Sequence, residues 1–408
     1  KLLKIYACFY MRVYICKGCE KSCPLTFWRI KTMLDFQSRT KKTFDEFMTE
    51  LQEKSNQQHD FTIPMNQLQK STTEDGTPQL VIEQIGGVPT QKLGMNKHSF
   101  GQLYAQLDYN FKNAQVHQSK APQEFDQLTN ALLRDNDSQR MIRTYETPDS
   151  YEHNGMARAI VSEKFKRFDN IDLIQAISEP IKNSPAQFNV MNYDVSDTRF
   201  GIRFCSPIQT QSDVSAVGDH MSSGLAIGNS EVGKGSTSVA ALAVTLACLN
   251  GMQVDEKFRS SHITSAQGEE YFNILSQEAK DADNRALKLK LQSIVEHYST
   301  PEFLEEICEK MRAASKDVIE GEFTPIETAE KLGKILALPK KQHGMIATGL
   351  FNTMQQDGFR NRPVSRATLV NAVTNVSHSV AIDDVDSWEK MGGLVLNMSD
   401  KEFGRLSA

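Results

Sequence analysis

"TRFGIRFC", Thr198–Cys205, alternates strictly. Phe200, Ile202 and Phe204 fall on one side of an extended chain, and Arg199, Gly201, Arg203 and Cys205 on the other. The pattern predicts a strand with one buried face and one solvent face that carries two arginines. Just downstream, "SGLAIGNSE" reads as another strand. Upstream, "ARAIVSEKFKRFDNIDLIQAISEPIKN" reads as a strand, "RAIVS", leading into an amphipathic helix on which Ile171, Leu173, Ile174, Ile177 and Ile181 share a face. After the glycine-rich "GNSEVGKGS", the apolar run from Val239 to Leu249, broken only by Thr245, reads as a buried helix ending at Asn250-Gly251, where glycine suits the position past a helix C-terminus. The expected fold class is therefore α+β: an antiparallel strand meander packed on a buried helix and flanked by helical regions.

The flanks complete this organisation. Residues 1–32 hold four of the seven cysteines (Cys8, Cys16, Cys19, Cys23), and with seven Lys or Arg against one Glu they carry +6 of a chain whose net charge is −5, leaving −11 for the rest. Translation is expected to start near Met33, with residues 1–32 as upstream sequence. The rival reading gives the C-x-x-C-x-x-x-C cysteines to zinc or an iron–sulfur centre. Residues 33–92 are expected to be a polar arm or linker that opens at Met33 with a helical pattern, Phe44, Phe47, Met48 and Leu51 on one face, and over 53–92 is turn-rich with only "QLVIEQI" looking like a strand. A helical region over 93–156, an α+β core over 157–251 and a helical region over 252–408 follow. In the last of these, Thr324 is expected to cap a helix with Pro325 at its first position. No apolar stretch approaches the roughly 20 residues of a membrane span, so a cytoplasmic protein without membrane contact is expected. Cys205, Cys248 and Cys308 read as reduced core thiols.

Gly228, Gly233 and Lys234 match the spacing of a phosphate-binding G-x-x-x-x-G-K. The position that should carry the magnesium-holding hydroxyl is Gly235, however, and Ser236 comes one place late. The acids on offer are Asp383, expected to end a helix, and Asp400, in the terminal tail. The loop is expected to serve turn geometry or to hold a backbone phosphate without hydrolysis. No cofactor is expected.

"LLRDNDSQRMIRTYE", "ARAIVSEKFKRFDNIDLIQAI", "IGNSEVGKGSTSVAALAVTLACLNGM" and "LVNAVTNVSHSV" resemble, in order and spacing, a phage/plasmid-like bacterial family catalogued as domain of unknown function 932. The resemblance covers roughly Leu93–Met398 and implies a role in mobile-element biology without naming a reaction. Its motifs fall on Ser162, Phe165, Asp169 and Asn170; on Asn229, Ser230, Glu231, Gly233 and Gly235; on Asn250 and Gly251; and on Asn371, Thr374 and His378, expected on one helix face. A looser likeness is architectural, to single-strand annealing proteins of the Red-beta and RecT type.

Three functions compete. Arg199 and Arg203, about 13 Å apart along a strand, could span two phosphates, and Lys164, Lys166 and Arg167, interleaved with Phe165 and Phe168, offer the cation–aromatic mixture of single-strand binders, with Lys234 nearby. Single-stranded DNA is thus the expected partner, for annealing in recombination or replication, and a homo-oligomer is compatible with the sequence. The second reading is an enzyme, either a weak NTPase or a hydrolase using His378 with Asp383 or Asp384, and the third is a host-modulating protein that acts only through other proteins. If Arg199 and Arg203 share an open groove with "KFKRF", binding gains; if they pair with acids across a sheet, it loses.

Overall fold

Alternating and apolar segments gather into two sheets. The computed structural model describes residues 44–83, 90–146, 154–211, 220–245, 250–260, 276–321, 324–356 and 359–407. The cysteine-rich start, the expected initiator Met33 and Cys248 lie outside the described residues.

The first sheet has six strands: β1 (Gln58–Pro64), β2 (Leu68–Thr72), β3 (Pro78–Ile82), β4 (Gln91–Met95), β5 (Gln139–Glu146) and β6 (Gly155–Ser162), in the order β1-β5-β6-β4-β3-β2. All its pairs are antiparallel except β4–β6. This corrects the expectation of a polar arm over residues 33–92. Its strands are short and only half apolar, but Leu68, Leu80, Ile82 and Leu93 reach the core. The turn-rich "TTEDG" is the tip of the β2–β3 hairpin: Gly76 has φ 88°, in the left-handed region, and the Asp75 carboxylate accepts from the Thr77 N–H at 3.0 Å. Preceding β1 is α1 (Phe44–Asn56); α2 (Lys97–Gln106) and α4 (Pro122–Arg134) cover one face of the sheet through Phe100, Leu103, Tyr104, Phe125 and Leu133, and α3 (Phe111–Lys120) packs against these two helices.

The second sheet is the meander, five antiparallel strands in the order β11-β10-β9-β8-β7: β7 (Asn189–Val195), β8 (Phe200–Gln211), β9 (His220–Asn229), β10 (Thr237–Thr245) and β11 (Asn250–Ser260). The α+β class and the meander are as expected, and the amphipathic helix is α5 (Asn170–Asn183). The segment after the glycine-rich turn is corrected: Thr237–Thr245 is a strand hydrogen-bonded to β9 and β11, and Asn250 and Gly251 open β11. Physically, β10 is buried on both faces, with Val239, Ala241 and Ala243 in the main core and Ala240, Leu242 and Val244 in a cluster on the other side. A strand covered on both faces loses its alternation and reads like a buried helix.

The buried helix against the meander comes from the C-terminal region: α6 (Gln277–Tyr298), α7 (Pro301–Lys316), α8 (Pro325–Ile335), α9 (Lys340–Met354), α10 (Arg366–Asn375), α11 (Ile382–Leu396) and α12 (Asp400–Gly404). Every α10 residue from Arg366 to Thr374 is buried. The Thr324 cap holds, with Thr324 and Glu327 bonding each other's backbone N–H as a capping box. The expected single helix through His378 breaks at Val376 into a 3-10 turn, and Asp383 lies in the first turn of α11 instead of ending a helix. No helix among the described residues is long and apolar enough to cross a membrane.

Candidate functional site

Neither Arg203 of β8 nor Arg199, the residue before it, lies on an open solvent face. Arg203 is 1% exposed: its Nη2 donates to Asp386 at 2.6 Å and to Glu389 at 3.0 Å, and its Nε donates to Glu389 at 3.1 Å. Burial disfavours the charge, but Glu389 and Asp386 outweigh it and hold the guanidinium above its ordinary pKa. Arg199 pairs with the other oxygen of Asp386. Helix α11 thus lays acids across the face expected to be open, which corrects the predicted exposure of both residues.

The loop cations are partnered too. Lys166 meets Asp283 at 2.6 Å, Arg167 meets Asp60 at 2.8 Å and Lys234 meets Asp383 at 3.5 Å. Lys164 is half-buried beside the Ser162 turn, where the Ser162 hydroxyl accepts its backbone N–H. Phe165 and Phe168 are core residues, 4% and 1% exposed, so neither ring is placed to stack on a base. Nor does the glycine loop form a phosphate loop. It joins two antiparallel strands, with no helix N-terminus behind it, and Gly233 takes φ 77° to make the turn. Asn371 and Thr374 bond carbonyls of their own helix, Ala367 and Val370, whereas His378 is exposed in the 3-10 turn.

Two motifs about sixty residues apart in sequence do converge. The Asn229 amide donates to the Phe168 carbonyl and to Asn170 Oδ1, both at 2.9 Å, and accepts from Thr237. Ser230 donates to the Thr198 carbonyl at 2.8 Å. Glu231, 8% exposed, accepts the Asn170 backbone N–H at 2.6 Å, at the start of α5. Asp169, the N-cap residue, pairs with Arg143 at 2.7 Å. Arg143 is fully buried and also donates to Asp60 and to the Glu231 carbonyl, clamping β1, α5 and the glycine loop to β5. Burial works against its charge, but Asp169, Asp60 and Glu231 win and its pKa is raised.

Two of these motif residues, Asn170 and Glu231, border a cavity of about 540 Å³ where the two sheets meet. Arg158, Asn170 and Glu231 line one side, and the β7–β8 turn, including Ser196 and Thr198, lines another. Leu51, Met156 and Phe200 supply apolar wall. The volume lies within the range of small-molecule sites, roughly 300–1,000 Å³. A second concavity, about 840 Å³ between α8 and α9, is bordered by exposed Ile326 and Phe351 without a comparable buried polar network. No group of three His, Cys, Asp or Glu able to hold a metal occurs among the described residues.

Sequence reasoning missed Arg143, Arg158 and Gln58. The available signal was a charged residue inside an otherwise apolar strand, as in "MARAIV", which requires a buried partner. Comparisons with protein-family models, curated proteins and solved structures gave no match.

Proposed function

We propose that this chain is a small-molecule-binding protein, a binding or sensing module that holds a polar ligand in the cavity between its sheets. The observation that carries the reading is the convergence on one cavity wall of Arg158 from β6, Asn170 from α5 and Glu231 from the glycine loop, joined by buried hydrogen bonds. A rigid constellation of buried polar groups beside a largely apolar cleft is the usual form of a ligand site. Single-stranded DNA binding draws less support. Its expected cations Lys166, Arg167, Arg199, Arg203 and Lys234 already sit against carboxylates, and a phosphate backbone would have to displace each one.

The test pairs two titrations on the full chain. A mixture of polar metabolites is followed by ligand-observed NMR, against wild type and a cavity-filling Val195→Trp variant. Fluorescent single-stranded DNA is titrated at two salt concentrations. Saturable small-molecule binding, lost in Val195→Trp, is expected, with no salt-dependent DNA binding. Tight DNA binding with a steep salt slope and no small-molecule signal would reverse the assignment.

A further inference from the structure

Where β5 pairs with β6 the register slips: Arg143 sits opposite Ala159 but Thr144 opposite Ala157, leaving Arg158 as the extra residue of a β-bulge. A bulge re-aims a side chain out of the regular alternation. Here it delivers a long cation to the cavity wall, with its side chain 9% exposed. One end of the guanidinium is spoken for, since Nη1 donates to Glu231 Oε2 at 2.5 Å. Glu231 is itself fully engaged, taking the Asn170 N–H on Oε1 and the Gln58 amide on Oε2. The other edge of Arg158, Nε and Nη2, has no acceptor among the described residues.

Two unpaired donors on a buried cation are costly, and a folded protein keeps such a pair where something else accepts from it. The Nε–H and Nη2–H bonds of a guanidinium run parallel, at the spacing of two oxygens of one carboxylate or phosphate. We infer that the ligand of this cavity carries an anionic group, a carboxylate or a phosphate, which binds side-on to the Nε/Nη2 edge of Arg158 while Glu231 fixes Nη1. This rests on the cavity being a ligand site. Both donors are closed off from the cavity as well as from bulk solvent, so the anion must enter the cavity and displace the part of its wall that covers them. The rest of the lining is apolar at Leu51, Met156 and Phe200 and sets Lys54 and Arg199 against Glu146 and Asp197, so the anionic group is drawn by the two cations and opposed by the two acids.

The experiment measures thermal stability and calorimetric binding of the full chain with inorganic phosphate and with succinate, each against sodium chloride at matched ionic strength. The two arms separate phosphate from carboxylate. At least one anion should raise the melting temperature saturably beyond chloride. Arg158→Lys keeps the charge but loses the fork, and should weaken that anion at least tenfold. Lys310→Gln, at an exposed helix pair, should change nothing. Undiminished binding in Arg158→Lys, or a wild-type response no greater than that to chloride, overturns the inference. If neutral metabolites still bind and are blocked by Val195→Trp, only the anion assignment falls; if nothing binds, the cavity reading falls with it. Should Arg158→Lys fail to fold, hydrogen exchange of the wild type decides. Anion-dependent protection at residues 155–162 and 170–173 is expected, and protection confined elsewhere refutes the inference.

Discussion

Replacing Arg203 by Met should destabilise the protein by about 3–5 kcal/mol, the usual loss when one partner of a buried ion pair is removed. The structure sets the size. Arg203 is 1% exposed, and the Glu389 side chain that it meets through Nε and Nη2 is 4% exposed. Methionine fills much of the volume, so the loss comes chiefly from two carboxylates left facing each other. Asp386 keeps Arg199, while Glu389 keeps, among the described residues, the Gln253 amide at 3.0 Å. Trp388, buried one residue before Glu389 on α11, provides the signal for urea unfolding in a Trp28→Phe background. Restoring neutrality with Arg203→Met/Glu389→Leu should recover at least half of the loss, about 2 kcal/mol, and the full cycle with Glu389→Leu alone gives the coupling energy. An Arg203→Met cost below about 1 kcal/mol would refute a buried, mutually dependent pair.

At the α9–α10 crossing, a Cβ on Gly349 would run into the Ala372 carbonyl, so Gly349→Ala should lose about 2 kcal/mol in the same assay despite alanine's better helix propensity. Burial pushes the Cys205 thiol from 9.0 up to about 11, against a lowering bond from Ser222. The folded state therefore holds this proton more tightly than the unfolded one, and a contribution on the order of 2 kcal/mol, complete below pH 9, should fade as pH rises towards 11. Peptide mapping after iodoacetamide at pH 8 should find Cys205 unmodified until urea unfolds the chain. Lys234→Ala should leave magnesium-dependent ATP hydrolysis at the background of the wild type, and turnover that disappears in this variant would contradict the hairpin reading of its loop.

What the sequence determined by itself was whatever a single segment decides locally. The core face of β8 is written as Phe200, Ile202 and Phe204, and that of α5 as an isoleucine stripe, while Thr324-Pro325 marks a helix start by its own hydrogen bonds. Tertiary structure decided the rest, because the deciding partners lie far away along the chain. The strand β10 has neighbours on both faces, which erases the alternation that would identify it. Strands β1–β4 are weakly apolar singly, and become strands by pairing, β1 with β5, β4 with β6, and β3 and β2 in turn outward from β4. Of the candidate site, Asp169, Asn170, Asn229, Ser230 and Glu231 were legible as motifs, but their convergence was not. The arginines meet Asp386 and Glu389 some 183–187 residues downstream, and Arg158 reaches the cavity only through a register slip between two strands. Periodicity reports which faces are covered, and a charge on a covered face says that a partner exists; only the fold supplies that partner.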